Sequence, residues 1–148
     1  MRHLRVLIVL AGLTSGVVVQ SSECPEDRRP MSQRVAELSE VYSVFAGRAV
    51  NVKPLDRGLF ETDFLVDKSW RGVHSSHVTV RSNISVLGPA FEPGQDYLVF
   101  AYRTSSSVSW LQADGCSTTT KLADAGPWLE VLGQARYVRP GESERPPR

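Results

Sequence analysis

The stretch Phe64-Leu-Val-Asp-Lys-Ser-Trp-Arg-Gly72 decides the fold class of this chain. Together with the residues just before it, this stretch alternates mainly apolar side chains with acidic ones. The first set is Phe60, Thr62, Phe64, Val66 and Trp70, and the acidic set is Glu61, Asp63 and Asp67. A period of two is typical of a β-strand that buries one face. The stretch therefore predicts a half-buried strand.

Further strand patterns lie on both sides of it. Residues 44–52 are rich in β-branched side chains and include Gly47, which indicates a bulge or a close backbone approach. Residues 53–58 carry a proline and a glycine, which predict the hairpin turn between the two strands. Three more strands are predicted at residues 78–80, 97–102 and 108–112.

The fourth of the five predicted strands in chain order has two distinguishing features. Its residues 97–102 are almost all apolar, which predicts burial on both faces. The preceding Glu92-Pro-Gly-Gln95 is a strong turn signal, because proline presets one central position and glycine accepts positive φ at the other. We therefore expect a tight turn that leads directly into a central strand.

Apolar residues at helical spacing occur before the first predicted strand and after the last one. Met31, Val35 and Leu38 predict a short amphipathic helix. Apolar residues from Leu122 to Leu132 fall on one face but are interrupted by Gly126-Pro127, which predicts two short helical pieces. Five short strands between such helices predict a mainly β fold. The expected architecture is a small closed or partly open five-stranded Greek-key barrel of the OB type, with short N- and C-terminal helices.

Residues 1–21 have the layout of a secretory signal peptide. A basic start is followed by an apolar run and then by small residues. That run is shorter than the roughly 20 residues that cross a bilayer, and no later segment comes closer. We therefore expect a secreted or periplasmic protein with no membrane span. The folded domain would cover residues 22–136, and the charged, proline-rich residues 137–148 predict a disordered tail.

The charge balance gives no sign of a nucleic-acid partner. The full chain of 148 residues has a formal net charge of +1, and loss of Arg2 and Arg5 with the signal would leave −1. Binding of phosphate backbones calls for a clear excess of basic residues. The size predicts one domain, and we expect a monomer.

Cys24 and Cys116 are the two cysteines of the chain. In an exported protein two cysteines are more often joined than free. Their disulfide would close a loop of 92 residue steps (116 − 24), which stabilises the fold by about 4 to 5 kcal/mol in the chain-entropy model. The alternative is a pair of free thiols for redox or metal chemistry, but the chain lacks a Cys-x-x-Cys pattern.

Four landmarks follow one another along the chain. They are Val44–Val50 as first strand, Phe64–Gly72 as aromatic strand, Phe91–Phe100 as a Phe-x-x-Gly-x-x-Tyr-Leu-Val segment, and Cys116-Ser-Thr-Thr with Leu122 and Leu132-Gly133 as a cysteine-led helix. Their order and spacing resemble those of the bacterial relatives of the tissue inhibitors of metalloproteinases, which share the netrin-like OB fold. The resemblance covers nearly the whole mature chain and implies an OB-type binding module.

Two departures from that family pattern are informative. Members usually begin with Cys-x-Cys and carry another cysteine before a glycine in the middle loop, where this chain has Ser22 and Leu87. Animal members place the first cysteine on a catalytic zinc, so inhibition by that mechanism is not expected here. The resemblance then implies a contact ridge for a protein partner. We define the ridge as Ser22, Glu23, Cys24, Pro25, Val86 and Leu87.

No other constellation predicts chemistry. His74-Ser-Ser-His77 lacks a third ligand and the helical face of a zinc site, so we predict no metal. The serines lack a nucleophile elbow. The sequence thus predicts a non-catalytic module without cofactors, which binds another extracytoplasmic protein, with protease-inhibitor-like binding as one form of that role. The alternative is binding of carbohydrate or another cell-envelope component through a barrel face.

Overall fold

The computed structural model describes residues 30–36, 42–84, 88–113 and 118–141. Seven strands and two α-helices lie in this part of the chain. In chain order they are α1 (Met31–Ala36), β1 (Tyr42–Pro54), β2 (Leu59–Arg71), β3 (His77–Asn83), β4 (Asp96–Tyr102), β5 (Leu111–Ala113), β6 (Thr120–Lys121), α2 (Gly126–Leu132) and β7 (Arg136–Tyr137). One turn of 3₁₀ helix, Leu122–Asp124, precedes α2.

Five strands close into a barrel. They are hydrogen-bonded in the order β1-β2-β3-β5-β4, and β4 pairs with β1 to complete the circle. The β3–β5 pair is parallel and the other pairs are antiparallel. Closure leaves the strands without long free edges. The predicted mainly β, five-stranded barrel of the OB type with short helices is confirmed, and β6 and β7 are added outside it.

The β1–β2 hairpin forms where the sequence predicts it. Arg57 and Gly58 adopt φ values of 57° and 74° in the turn, which glycine accepts readily. Gly47 lies where the two strands approach closely, because a Cβ at this position would be 2.5 Å from the Leu65 carbonyl oxygen. The prediction for Gly47 is therefore confirmed, and its reason is steric.

Aromatic rings fill the barrel interior. Phe64 meets Phe45, Phe91 and Tyr97 edge to face, with ring centroids 5.6, 5.0 and 6.3 Å apart. Such T-shaped contacts add to the free energy gained by burial. Val138 is buried in the same cluster. Residues 137–141, which the sequence analysis assigned to the tail, thus include a residue of the barrel core.

A second apolar cluster lies outside the barrel, beneath the two helices. Leu98 and Phe100 of β4 contact it, and Trp128 of α2 packs on Phe100 with centroids 5.0 Å apart. Val99 and Ala101 of the same strand face the interior. Strand β4 is therefore buried on both faces, as its continuous apolarity predicted.

Several predictions fall outside the described residues. These are the signal peptide at 1–21, the Cys24–Cys116 disulfide, every residue of the contact ridge, and the tail beyond residue 141. In the described ranges no helix has the length and apolarity to cross a bilayer.

Candidate functional site

A groove of about 620 Å³ lies on the outside of the barrel, between the C-terminal part of β2 and the segment that runs from α2 to β7. We call it the outer groove. Its apolar lining includes Trp70, Leu122 and Leu129, and its polar lining includes Asp67, Lys68 and Gln134. The ring of Tyr137 borders it as well. Apolar walls with a few polar groups are typical of binding sites of this size.

Two irregularities in β2 place Asp67 and Trp70 at this groove. Residues Gly47 and Ala46 of β1 pair with Val66 and Lys68, so Asp67 has no partner residue. In the same way the register skips Trp70. Bulges of this kind change the direction of a side chain and are frequent next to functional sites. Trp70 therefore lies at the groove and not in the barrel interior, where simple alternation had placed it.

Trp70 is held firmly in the groove wall. Its indole N–H donates a hydrogen bond of 2.9 Å to the Gly133 carbonyl oxygen. Gly133 ends α2 with a φ of 68°, and its own N–H donates to the Leu129 carbonyl oxygen. The Trp70 ring also packs against the second apolar cluster. The groove is thus preformed by the contact between β2 and the end of α2.

Tyr137 is the most exposed aromatic residue of the groove, with 72% of its surface accessible. It lies opposite Lys68 in the β2–β7 pairing, and the Lys68 ammonium is 5.4 Å from its ring centroid. An exposed cation–π contact of this kind is worth about 0.5 to 1 kcal/mol. The next residue, Val138, donates its N–H to the Asp67 carbonyl oxygen at 2.9 Å. Backbone pairing and the buried Val138 thus fix the position of Tyr137.

A bidentate ion pair connects β1 with β4. Arg48 donates to both carboxylate oxygens of Asp96, at 2.9 and 3.1 Å. The hydrogen bond from Arg48 lowers the pKa of Asp96. The same hydrogen bond and the charge of Asp96 raise the pKa of Arg48, with a smaller contribution from Asp67. The pair thus joins two neighbouring barrel strands at the protein surface.

The other acidic residues of β2 have structural roles. Glu61 forms an ion pair of 2.8 Å with Arg81. Asp63 accepts hydrogen bonds from Thr79 and Asn51, at 2.9 and 3.1 Å. Such cross-strand pairs stabilise a sheet modestly. Of the three acids on the predicted strand, Asp67 is thus the one that the structure places at a groove.

His74 lies in the connection between β2 and β3, His77 is the first residue of β3, and both border a small pocket. Within the described ranges no group of three or more metal-binding side chains occurs. A zinc site needs three or four protein ligands. The described residues therefore offer no reason to propose a metal here.

Sequence reasoning missed Tyr137 and the outer groove, although one signal was present. Lys68 stands where the alternation of β2 requires an apolar residue. That break marks the bulge at Asp67, after which the buried position moves to Ser69. Tyr137 had no comparable signal, because a two-residue strand has no period.

Comparison with known proteins adds no relative. No protein-family model matches the sequence, and no curated protein matches it. The assignment to the relatives of metalloproteinase inhibitors stays a prediction from the four landmarks.

Proposed function

We propose that this protein is an exported, non-catalytic binding module that binds a segment of another extracytoplasmic protein. The outer groove is the observation that supports the proposal. Its lining combines apolar with polar residues, as protein interfaces do. Tyrosine and tryptophan, which contribute most often to binding energy in such interfaces, both border it.

The groove also indicates what kind of segment it suits. An aliphatic side chain of the partner fits against Trp70 and Leu129, the apolar part of the lining. The ammonium of Lys68 already faces the Tyr137 ring. The Asp67 carboxylate is the acidic group of the lining, so a neighbouring basic side chain of the partner would pair with it. We therefore propose a segment with an aliphatic residue next to a lysine or arginine.

Carbohydrate binding is the second candidate, and the exposed ring of Tyr137 is the observation that favours it. A sugar platform would need exposed aromatic rings that lie parallel. The Trp70 indole is held against the second cluster and bonded to Gly133. The ring pairs of the described residues are T-shaped or tilted and lie in the two cores. Protein binding is therefore the better-supported function.

The contact ridge is a separate part of the proposal. It rests on the family resemblance and concerns residues outside the described ranges. Nearby, the Gly88 N–H donates to the Asn83 carbonyl oxygen at 2.7 Å, and a Cβ at Gly88 would overlap that backbone. The presence of glycine at the position after Leu87 thus has a steric explanation. Cysteines introduced at both Ser22 and Leu87 test the ridge, since they form a disulfide only if their Cα atoms come within about 7 Å. A folded double variant that stays reduced under oxidising conditions would contradict it.

The groove is tested by comparing variants for binding. Asp67→Lys reverses the charge of the acidic lining residue, and Tyr137→Ser removes the exposed ring. The control variant, Leu65→Asp, alters an exposed apolar residue outside the groove. Proteins captured by wild type from the extracytoplasmic fraction are identified, and the affinity of one purified partner is measured for each variant. We expect each groove variant to bind about 10-fold or more weakly, as removal of a central contact does.

The control variant decides how the result is understood. Leu65→Asp is expected to bind as wild type does, and thermal denaturation must show that all three variants are folded. Equal affinity of all variants for the partner would overturn the assignment of the groove. Selective retention of wild type on purified envelope glycans, with no protein partner, would instead establish carbohydrate binding.

A further inference from the structure

A second, much smaller pocket lies between the β2–β3 connection and the segment before β5. Its volume is about 60 Å³, and it shares no lining residue with the outer groove. Its polar lining consists of His74, Ser75, His77, Arg103 and Ser109. We call it the donor pocket. The buried side chains of Val73 and Leu111 form its apolar part.

All five polar side chains of this lining can donate hydrogen bonds, and no carboxylate is among the lining residues. Arg103 carries a permanent positive charge. One of its Nη1 hydrogens is bonded to the Val108 carbonyl oxygen at 2.8 Å, which holds the guanidinium in place. A guanidinium has five N–H groups, so this bond leaves others able to bind a ligand.

Contacts of two lining residues leave hydrogens on them that can still be donated. Arg136 Nη2 is 3.2 Å from His74 Nδ1. Because arginine can only donate, Nδ1 must accept, and His74 then keeps its proton on Nε2 as a donor. The Ser75 hydroxyl oxygen accepts a hydrogen bond of 3.2 Å from the backbone N–H of His77, which leaves the Ser75 hydroxyl hydrogen able to donate. Arg136 also adds a second positive charge beside the pocket.

We propose that the donor pocket binds one small tetrahedral oxyanion, sulfate or phosphate, either free or as a terminal ester group. The volume of about 60 Å³ is enough for one small ion or for one terminal group of a larger ligand. Several donors around one permanent charge match the acceptors of an oxyanion. A metal cation is disfavoured by Arg103, because like charges repel.

The proposal is tested by titrating the full chain at pH 7 with inorganic sulfate and phosphate at constant ionic strength, with chloride as the matched salt. Nuclear magnetic resonance follows the signals of His74, His77 and the Arg103 side chain. We expect saturable shifts, and an affinity about 10-fold or more weaker for Arg103→Gln, because a charge-assisted contact is lost. The matched control is Arg57→Gln, an arginine in the β1–β2 turn, which should bind as wild type does.

The outcomes separate a site from general charge effects. Equal shifts with chloride, an unchanged affinity of Arg103→Gln, or an equal loss in Arg57→Gln would each overturn the proposal. Methyl phosphate distinguishes the two forms of the ligand, because tighter binding of the ester than of inorganic phosphate assigns an esterified group, equal binding shows that the pocket accepts both forms, and exclusion of the ester assigns the free ion. These results are independent of the outer groove.

Discussion

Replacement of Gly47 by alanine is the sharpest test of how the barrel closes. The added Cβ would lie 2.5 Å from the Leu65 carbonyl oxygen and 3.2 Å from Val66 Cα, both backbone atoms of the neighbouring strand. Backbone in the middle of a paired strand cannot rotate away as a side chain can. Strands β1 and β2 must therefore separate locally, or the chain must shift its register.

The size of the effect follows from that geometry. The distance of 2.5 Å between this Cβ and the Leu65 carbonyl oxygen is about 0.9 Å shorter than the 3.4 Å at which ordinary contact begins. A separation of that size stretches hydrogen bonds near 2.9 Å beyond their effective range, and each lost bond costs about 1 kcal/mol. With about two such bonds lost and roughly 1 kcal/mol more for disturbed packing around Phe45, the loss should be about 3 kcal/mol. That corresponds to a fall in melting temperature of about 10 °C for a domain of this size.

A matched substitution isolates the steric cause. Gly94 lies in the turn before β4 with a φ of 82°, and a Cβ there would meet nothing within 4 Å. Alanine at Gly94 should cost only the left-handed backbone, about 1 kcal/mol, and asparagine should recover part of it. Urea denaturation of both variants provides the comparison. If Gly47→Ala costs no more than Gly94→Ala, the close approach of β1 and β2 is wrong.

Three further predictions concern stability. The Thr62 hydroxyl is buried without a hydrogen-bond partner among the described residues, so Thr62→Val should raise the urea midpoint, by about 1 kcal/mol in stability; a lower midpoint would show that the hydroxyl is bonded. Val138→Ala should lower stability by about 2 kcal/mol with an unchanged m-value, and no change would contradict its burial in the core. Arg48 lowers the pKa of Asp96, so their contact favours folding above pH 3.8, the ordinary pKa of an aspartate. That contribution is lost as the pH falls through the lower pKa that Asp96 has in the folded protein. Asp96→Asn should therefore lose less stability below pH 3.8 than wild type does.

The parts of the fold that the sequence predicts depend on local patterns. The turn before β4 follows from Pro93 and Gly94, because each residue restricts or permits one backbone conformation. Burial of residues 97–101 follows from their composition alone. Gly126-Pro127 and Gly133 likewise bound the last helix at the predicted places. In each case the deciding residues are neighbours in the chain.

The parts that the sequence does not predict depend on partners far away in the chain. The side on which Trp70 lies is decided by register skips in β2, which exist only relative to β1. The donor pocket joins His74 to Arg103, and no spacing rule connects them. The fifth strand, predicted at 108–112, is found at Leu111–Ala113, because these are the residues of this segment that pair with β3 within the described ranges.

The length of β2 explains why the outer groove and the C-terminal segment occur together. β3 pairs with β2 only from Leu59 to Leu65, so the remainder of this strand needs other partners. Val66 bonds to the Ser76 carbonyl oxygen, and β7 and Val138 cover the stretch after it. The bulges that turn Asp67 and Trp70 outward lie in that same stretch. Residues 136–138 therefore cover the end of β2 outside the closed barrel and form one wall of the groove, so we expect loss of their pairing to destabilise the fold and to weaken the proposed binding together.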